Sequence, residues 1–223
     1  MSARSYGHYD PLAQTLDAVG DRWALLVVRE LLWGPLRFTD LQDRLPGIGT
    51  NQLSTRLREL EADGIAARRL LPPPAASAVY ELTEQGARLE PALLALVRFG
   101  LPRLRALSPV NTFRPAWAAL ALRALAGTGP LPDRARLWEV RVEDVVFHTR
   151  ADPAGSVTRP GPAPDPDQAT APASVIRTDT ITAFALAQGR LTQRQAREQD
   201  LLHADDAEAC AAWAEASGLK AGT

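Results

Sequence analysis

The sequence predicts an α+β fold in two domains, residues 1–107 and 108–223. Three observations predict it. Four helix-period apolar patterns open the chain, each stopped by a Gly or Pro break. A strand-like pair with a proline-rich tip follows at residues 65–82. Beyond Ser108-Pro109, short strand-like runs mix with helical segments. A length of 223 residues accommodates two ordinary domains.

The elements follow in order. Leu12, Leu16 and Val19 share one helix face, and Trp23, Leu26, Val27 and Leu31 share the next, which Gly34-Pro35 ends. Phe38, Leu41 and Leu45 form a third pattern, stopped at Pro46-Gly47. Leu53, Leu57 and Leu60 form a fourth, stopped at Gly64. Ile65–Leu71 and Val79–Leu82 read as the hairpin. Thr83 can start a helix, which Pro91 restarts, since proline is poorly tolerated in a helix interior. The segment near residues 91–106 is strongly apolar. In the second half, Trp117–Leu125 reads as a helix and residues 137–149 as two strands joined at Glu143-Asp144. Residues 151–172 hold six prolines and read as a hairpin with a long loop or as mobile chain. Val175–Thr178 is a short strand, and Thr180–Gly218 reads as helical with breaks near Gly189 and His203.

Composition narrows the function. No run reaches the roughly 18 apolar residues of a bilayer span, and residues 1–10 contain no apolar signal core. Both point to a cytoplasmic protein without membrane contact. Net charge is only −1, so affinity for phosphates must come from local placement of arginines. Cys210 is the single cysteine and excludes an intrachain disulfide. His8, His148 and His203 are isolated and lack partners at metal-ligand spacing, and no nucleophile, P-loop or dinucleotide motif is present. The expectation is no enzyme, no catalytic residue, no metal and no cofactor.

The helix over residues 50–62 carries the chemistry. On a 100° wheel its leucines cluster while Asn51, Thr55 and Arg58 lie nearly opposite. Asn and Gln can bond adenine bidentately, and Arg can bond guanine or phosphate. Residues near the start of such a helix are the usual base readers. The candidates are Thr50, Asn51, Gln52 and Thr55 for bases, with Arg37, Arg56 and Arg58 for phosphates. An ordinary amphipathic surface helix would carry the same pattern.

The order of helices, Pro-Gly turn, polar-faced helix, hairpin and closing helix is that of a winged helix-turn-helix. Residues 9–105 resemble the HxlR-type transcriptional regulators. The matching pieces include Pro11-Leu12, Gly20-Asp21-Arg22-Trp23, Arg29-Glu30-Leu31, Gly34-Pro35, Arg37-Phe38, Leu45-Pro46-Gly47-Ile48, Arg56-Leu57, Asp63-Gly64 and Tyr80-Glu81-Leu82-Thr83. The resemblance implies a homodimer that presents two recognition helices to a pseudo-palindromic operator in double-stranded DNA. Packing of the 91–106 helix on the second half is the alternative to dimerisation. Some members sense oxidants through a cysteine before the Pro-Leu, where this chain has Asp10. Gly49 replaces the usual Ser or Thr helix cap, and the wing tip lacks the frequent basic residue, so the resemblance moves the expected phosphate contacts of the wing to Arg68 and Arg69 at its base.

Residues 113–218 are similar to the sterol carrier protein type 2 fold, an α+β domain with an apolar cavity. The likeness rests on the Trp138–Thr149 strand pair and the Val175–Gly218 segment. It implies an apolar small-molecule effector lined by Trp117, Leu120, Phe147, Phe184, Leu186 and Trp213, unless these residues are simply core. The resulting expectation is a dimeric repressor whose DNA affinity an apolar molecule modulates. The alternative is a carrier or sequestering protein that uses its winged helix mainly to dimerise.

Overall fold

The structure is a computed structural model and describes residues 5–74, 76–105, 112–164 and 173–220. Two compact units emerge, Met1–Leu93 and Leu94–Thr223. The sequence placed its boundary at Ser108-Pro109, which lies outside the described residues. The division between the two units falls inside the helix Glu90–Gly100.

In the first unit, α1 (Pro11–Val19) starts at Asp10, whose carboxylate accepts the Ala13 N–H at 2.7 Å. Asp10 therefore serves as a helix cap, a role that suits a short acceptor side chain. Helices α2 (Ala24–Leu31), α3 (Phe38–Arg44) and α4 (Thr50–Ala62) follow. Gly34 and Gly47 form the turns between them with φ of 124° and 91°, a region side-chain-bearing residues rarely adopt. Their apolar faces meet in one core containing Trp23, Val27, Leu31, Leu41, Leu53 and Leu57, with Phe38, Tyr80 and Leu82 packed against it.

Strands β1 (Ala66–Leu70) and β2 (Ala78–Leu82) pair antiparallel as the wing. Leu36 adds a short third rung, exchanging both backbone hydrogen bonds with Tyr80 at 3.0 and 2.8 Å. That rung links the α2–α3 turn to the wing and was not legible in the sequence. Thr83 caps the short α5 (Glu84–Ala87). Gly86 lies so close to the Ile65 carbonyl that a Cβ would stand 2.0 Å from its oxygen. The wing and α5 can meet only with glycine there.

Helix α6 (Glu90–Gly100) crosses the division. Its later turns belong to the second unit because Arg98 Nη1 donates to the Ala124 carbonyl at 2.8 Å. A 3-10 turn at Leu101–Arg103 ends it.

The second unit contains α7 (Pro115–Leu125), β3 (Arg136–Val142), β4 (Val145–Asp152), β5 (Gly155–Pro160), β6 (Ser174–Thr178), α8 (Thr180–Ala187), α9 (Gln193–Glu198), β7 (Leu202–Ala204) and α10 (Ala207–Ala216). The five strands form one sheet in the order β5-β4-β3-β6-β7, with β3 and β6 parallel and the other pairs antiparallel. Trp138, Val140, Phe147 and Ile176 share one face of the pleat and are fully buried. Trp138 donates its indole N–H to the Ala209 carbonyl of α10 at 3.0 Å, which fixes that helix to this face. The opposite face carries Glu139, Arg141, Arg177 and His203. Of the segment 151–172, the described part forms the β4–β5 hairpin, and residues 165–172 lie outside the described residues. Among the described residues no helix is long and apolar enough to cross a membrane.

Candidate nucleic-acid interface and a pocket in the second unit

Helix α4 buries Leu53, Leu57 and Leu60 and leaves Thr50, Asn51, Gln52, Thr55 and Arg58 exposed. The wheel thus separates a core face from a polar face on the same helix. Thr50 is positioned from α3, where Gln42 Nε2 donates to its hydroxyl at 2.8 Å. Arg58 folds back along the helix to the Ser54 carbonyl and the Thr55 hydroxyl, both at 3.3 Å. These bonds are long and exposed, so the guanidinium can swing out to another acceptor. Asn51 and Gln52 project from the first turn, and the Gly49 cap adds no side chain to obstruct their approach to a groove.

The arginines divide by environment. Arg37 precedes α3 and is exposed, its backbone N–H donating to Asp40 at 3.1 Å. Arg68 is exposed on β1. Arg69, beside it, is held in a two-pronged pair with Glu81, both bonds 2.8 Å. The hydrogen bonds from Arg69 hold the Glu81 carboxyl below its ordinary range.

Arg56 departs from the expectation of a phosphate contact. Its side chain is only 13% exposed, bonded to Asp21 at 2.8 Å and to Glu59. Asp21 also accepts the Trp23 N–H at 3.2 Å. The Asp of the Gly20-Asp21-Arg22-Trp23 stretch therefore ties the start of α2 to the middle of α4. Arg56 is consumed by that tie because it lies on the flank of α4 that faces α2, not on the open stripe.

The second unit contains a cavity of about 490 Å³. Phe113, Trp117, Ile181, Phe184 and Ala185 supply its apolar wall, and Arg103, Arg105, Thr112, Gln188 and Arg190 its polar rim. Of the expected effector contacts, Trp117 and Phe184 reach it. Leu120, Phe147, Leu186 and Trp213 do not line it, and each is only about 1% exposed. Their places on α7, β4, α8 and α10 turn them into the core between helices and sheet. The arginines could not be assigned from sequence, since they come from the end of α6 and the α8–α9 turn, more than 80 positions apart.

The HxlR-like helix-turn-helix family matches residues 18–106. The HTH-type transcriptional regulator sll1512 of Synechocystis is 38% identical over 94 residues, covering 42% of this chain and 70% of that protein. The HTH-type transcriptional regulator YybR of Bacillus subtilis is 36% identical over 90 residues, 40% of this chain and 72% of that protein. Reduced YodB from B. subtilis, a transcriptional regulator of solved structure, is 30% identical over 42% of this chain and 92% of that one, with a TM-score of 0.38. Such proteins are helix-turn-helix transcriptional regulators, not enzymes. With the exposed polar stripe of α4 and the wing, the family match and the sll1512 and YybR relatives lead to one conclusion: through its first unit and α6, the chain belongs to the HxlR-like helix-turn-helix family of DNA-binding transcriptional regulators.

Proposed function

We propose that the protein is a dimeric cytoplasmic repressor of a pseudo-palindromic operator, relieved or tuned by an apolar small molecule in its second unit. The observation that carries the DNA half is the exposed Asn51, Gln52 and Thr55 stripe opposite the buried leucines of α4. Dimerisation is supported by large apolar side chains left in solvent on two helices: Leu12 on α1, and Leu96 and Phe99 on α6, the last 62% exposed. The sheet with its apolar helices and cavity supports a sterol-carrier-type reading of the second unit. A volume of about 490 Å³ lies within the usual span of small-molecule sites.

Coupling has a physical route. Arg103, Leu104 and Arg105 directly follow α6 and line the cavity. An occupant would contact the tail of the helix that carries Leu96 and Phe99, and so favour one dimer geometry over another. Its leverage on DNA affinity is its differential affinity for the two geometries, typically about 1–3 kcal/mol. The test has two parts. Footprinting of the purified protein on genomic DNA should yield a two-fold-symmetric site. Ala185→Trp should fill the cavity and abolish the response to any apolar effector while leaving operator affinity within about twofold. A response retained at full size in that variant would place the sensor elsewhere.

A further inference from the structure

The cavity gathers three arginines and no carboxylate among its described lining residues. Several arginines elsewhere stand against carboxylates, among them Arg56 on Asp21, Arg69 on Glu81, Arg136 on Glu208, Arg141 on Glu139 and Arg177 on Asp205, while others, such as Arg58 and Arg98, bond neutral acceptors. Arg103, Arg105 and Arg190 are the three that line the cavity. Two of the three are fixed by neutral acceptors. Arg103 Nη1 donates to the Phe99 carbonyl at 2.7 Å, with its guanidinium 3.7 Å from the centre of the Phe99 ring. Arg190 Nη2 donates to the Leu104 carbonyl at 3.0 Å. A carbonyl orients a guanidinium without neutralising it, and each retains further N–H donors in a planar fork. Arg105 is exposed.

We infer that the cavity takes an amphipathic anion, a long-chain or aromatic carboxylate, with its acid group held by Arg103, Arg105 and Arg190 and its apolar body against Phe113, Trp117 and Phe184. This rests on the effector reading above and narrows it from any apolar molecule to an acid. The charge complementarity is direct: three arginines, with no carboxylate among the described lining residues, give the mouth of the apolar wall a positive potential. Arginine forks are matched to carboxylate geometry, and charge-assisted bonds are the strong ones. A neutral molecule would fill the wall and leave the rim unused.

The test uses the full chain and three probes of one chain length, below their micelle concentrations: dodecanoate, dodecanol and dodecyltrimethylammonium. Binding is read by calorimetry and by tryptophan fluorescence, since Trp117 lines the wall. Dodecanoate should bind about tenfold or more tighter than dodecanol, and the cation weakest. Arg105→Gln should remove several-fold of that advantage without changing dodecanol affinity. Arg105→Gln with Arg190→Gln should reduce it to about twofold. Since Arg105 is exposed, the single variant stays informative if the double variant fails to fold. Equal binding of acid and alcohol would overturn the anion assignment and leave the apolar site standing. Binding of no probe would overturn both. Equal binding of the cation, or an acid preference that survives in Arg105→Gln and in the folded double variant, would also overturn the assignment.

Discussion

Replacing Arg56 with Ala should weaken the fold more than the contact with DNA. The guanidinium is 13% exposed and bridges Asp21 and Glu59. Charge-assisted hydrogen bonds are worth about 1.5–3 kcal/mol when well shielded. Here the partners are 46% and 34% exposed, so solvent screening takes back a large part. The net loss for Arg56→Ala should be about 1–2 kcal/mol. The change would appear in urea unfolding and in faster hydrogen exchange of α4 amides. In a double-mutant cycle with Asp21→Ala the coupling should be about 0.5–1 kcal/mol. The slope of log affinity against log salt on operator DNA should stay at its wild-type value. Arg68→Ala should do the reverse: stability nearly unchanged, slope shallower by about 0.9 for one lost phosphate contact. If Arg56→Ala leaves stability untouched and flattens the salt slope by about one unit, its ion pairs are incidental and the residue contacts DNA.

Three further outcomes are expected. Asn51→Ala or Gln52→Ala should cost about 1–3 kcal/mol on the specific site and less on random DNA, measured by competition binding; equal losses on both would remove these side chains from base reading. At the start of α8, burial pushes the Asp179 carboxyl up, but hydrogen bonds from the Thr182 hydroxyl and the Thr182 and Ile181 N–H groups outweigh it and hold it below its ordinary value. The unfolded chain then takes up a proton first as pH falls. The cap's contribution should be present above about pH 4 and fade below it, and Asp179→Ala should cost about 1 kcal/mol at neutral pH by thermal unfolding. Cys210 is fully buried, and burial pushes its thiol up despite the Gln193 amide at 3.5 Å, so native protein should resist thiol reagents and oxidants; rapid labelling before unfolding would contradict this.

The sequence by itself determined what depends on short range. Leucine spacing located α4 and its polar face, and Gly34 and Gly47 marked the turns. Each follows from helix period or backbone freedom within a few residues. The candidate base-reading stripe was therefore legible, as were the hairpin and most strands. Only the tertiary structure decided which polar residues remain available. Arg56 and Arg58 were both expected at phosphates, yet Asp21, 35 positions before Arg56, engages one and not the other. The same holds for Leu36 on Tyr80 and for α6, whose end is drawn to the second unit by Arg98. In the second unit the apolar pattern could not separate wall from core, because Leu120, Phe147, Leu186 and Trp213 differ from Trp117 and Phe184 in neighbours, not in hydrophobicity. Ion pairing and cavities are properties of side chains brought together from distant positions, and local periodicity holds no record of those distances.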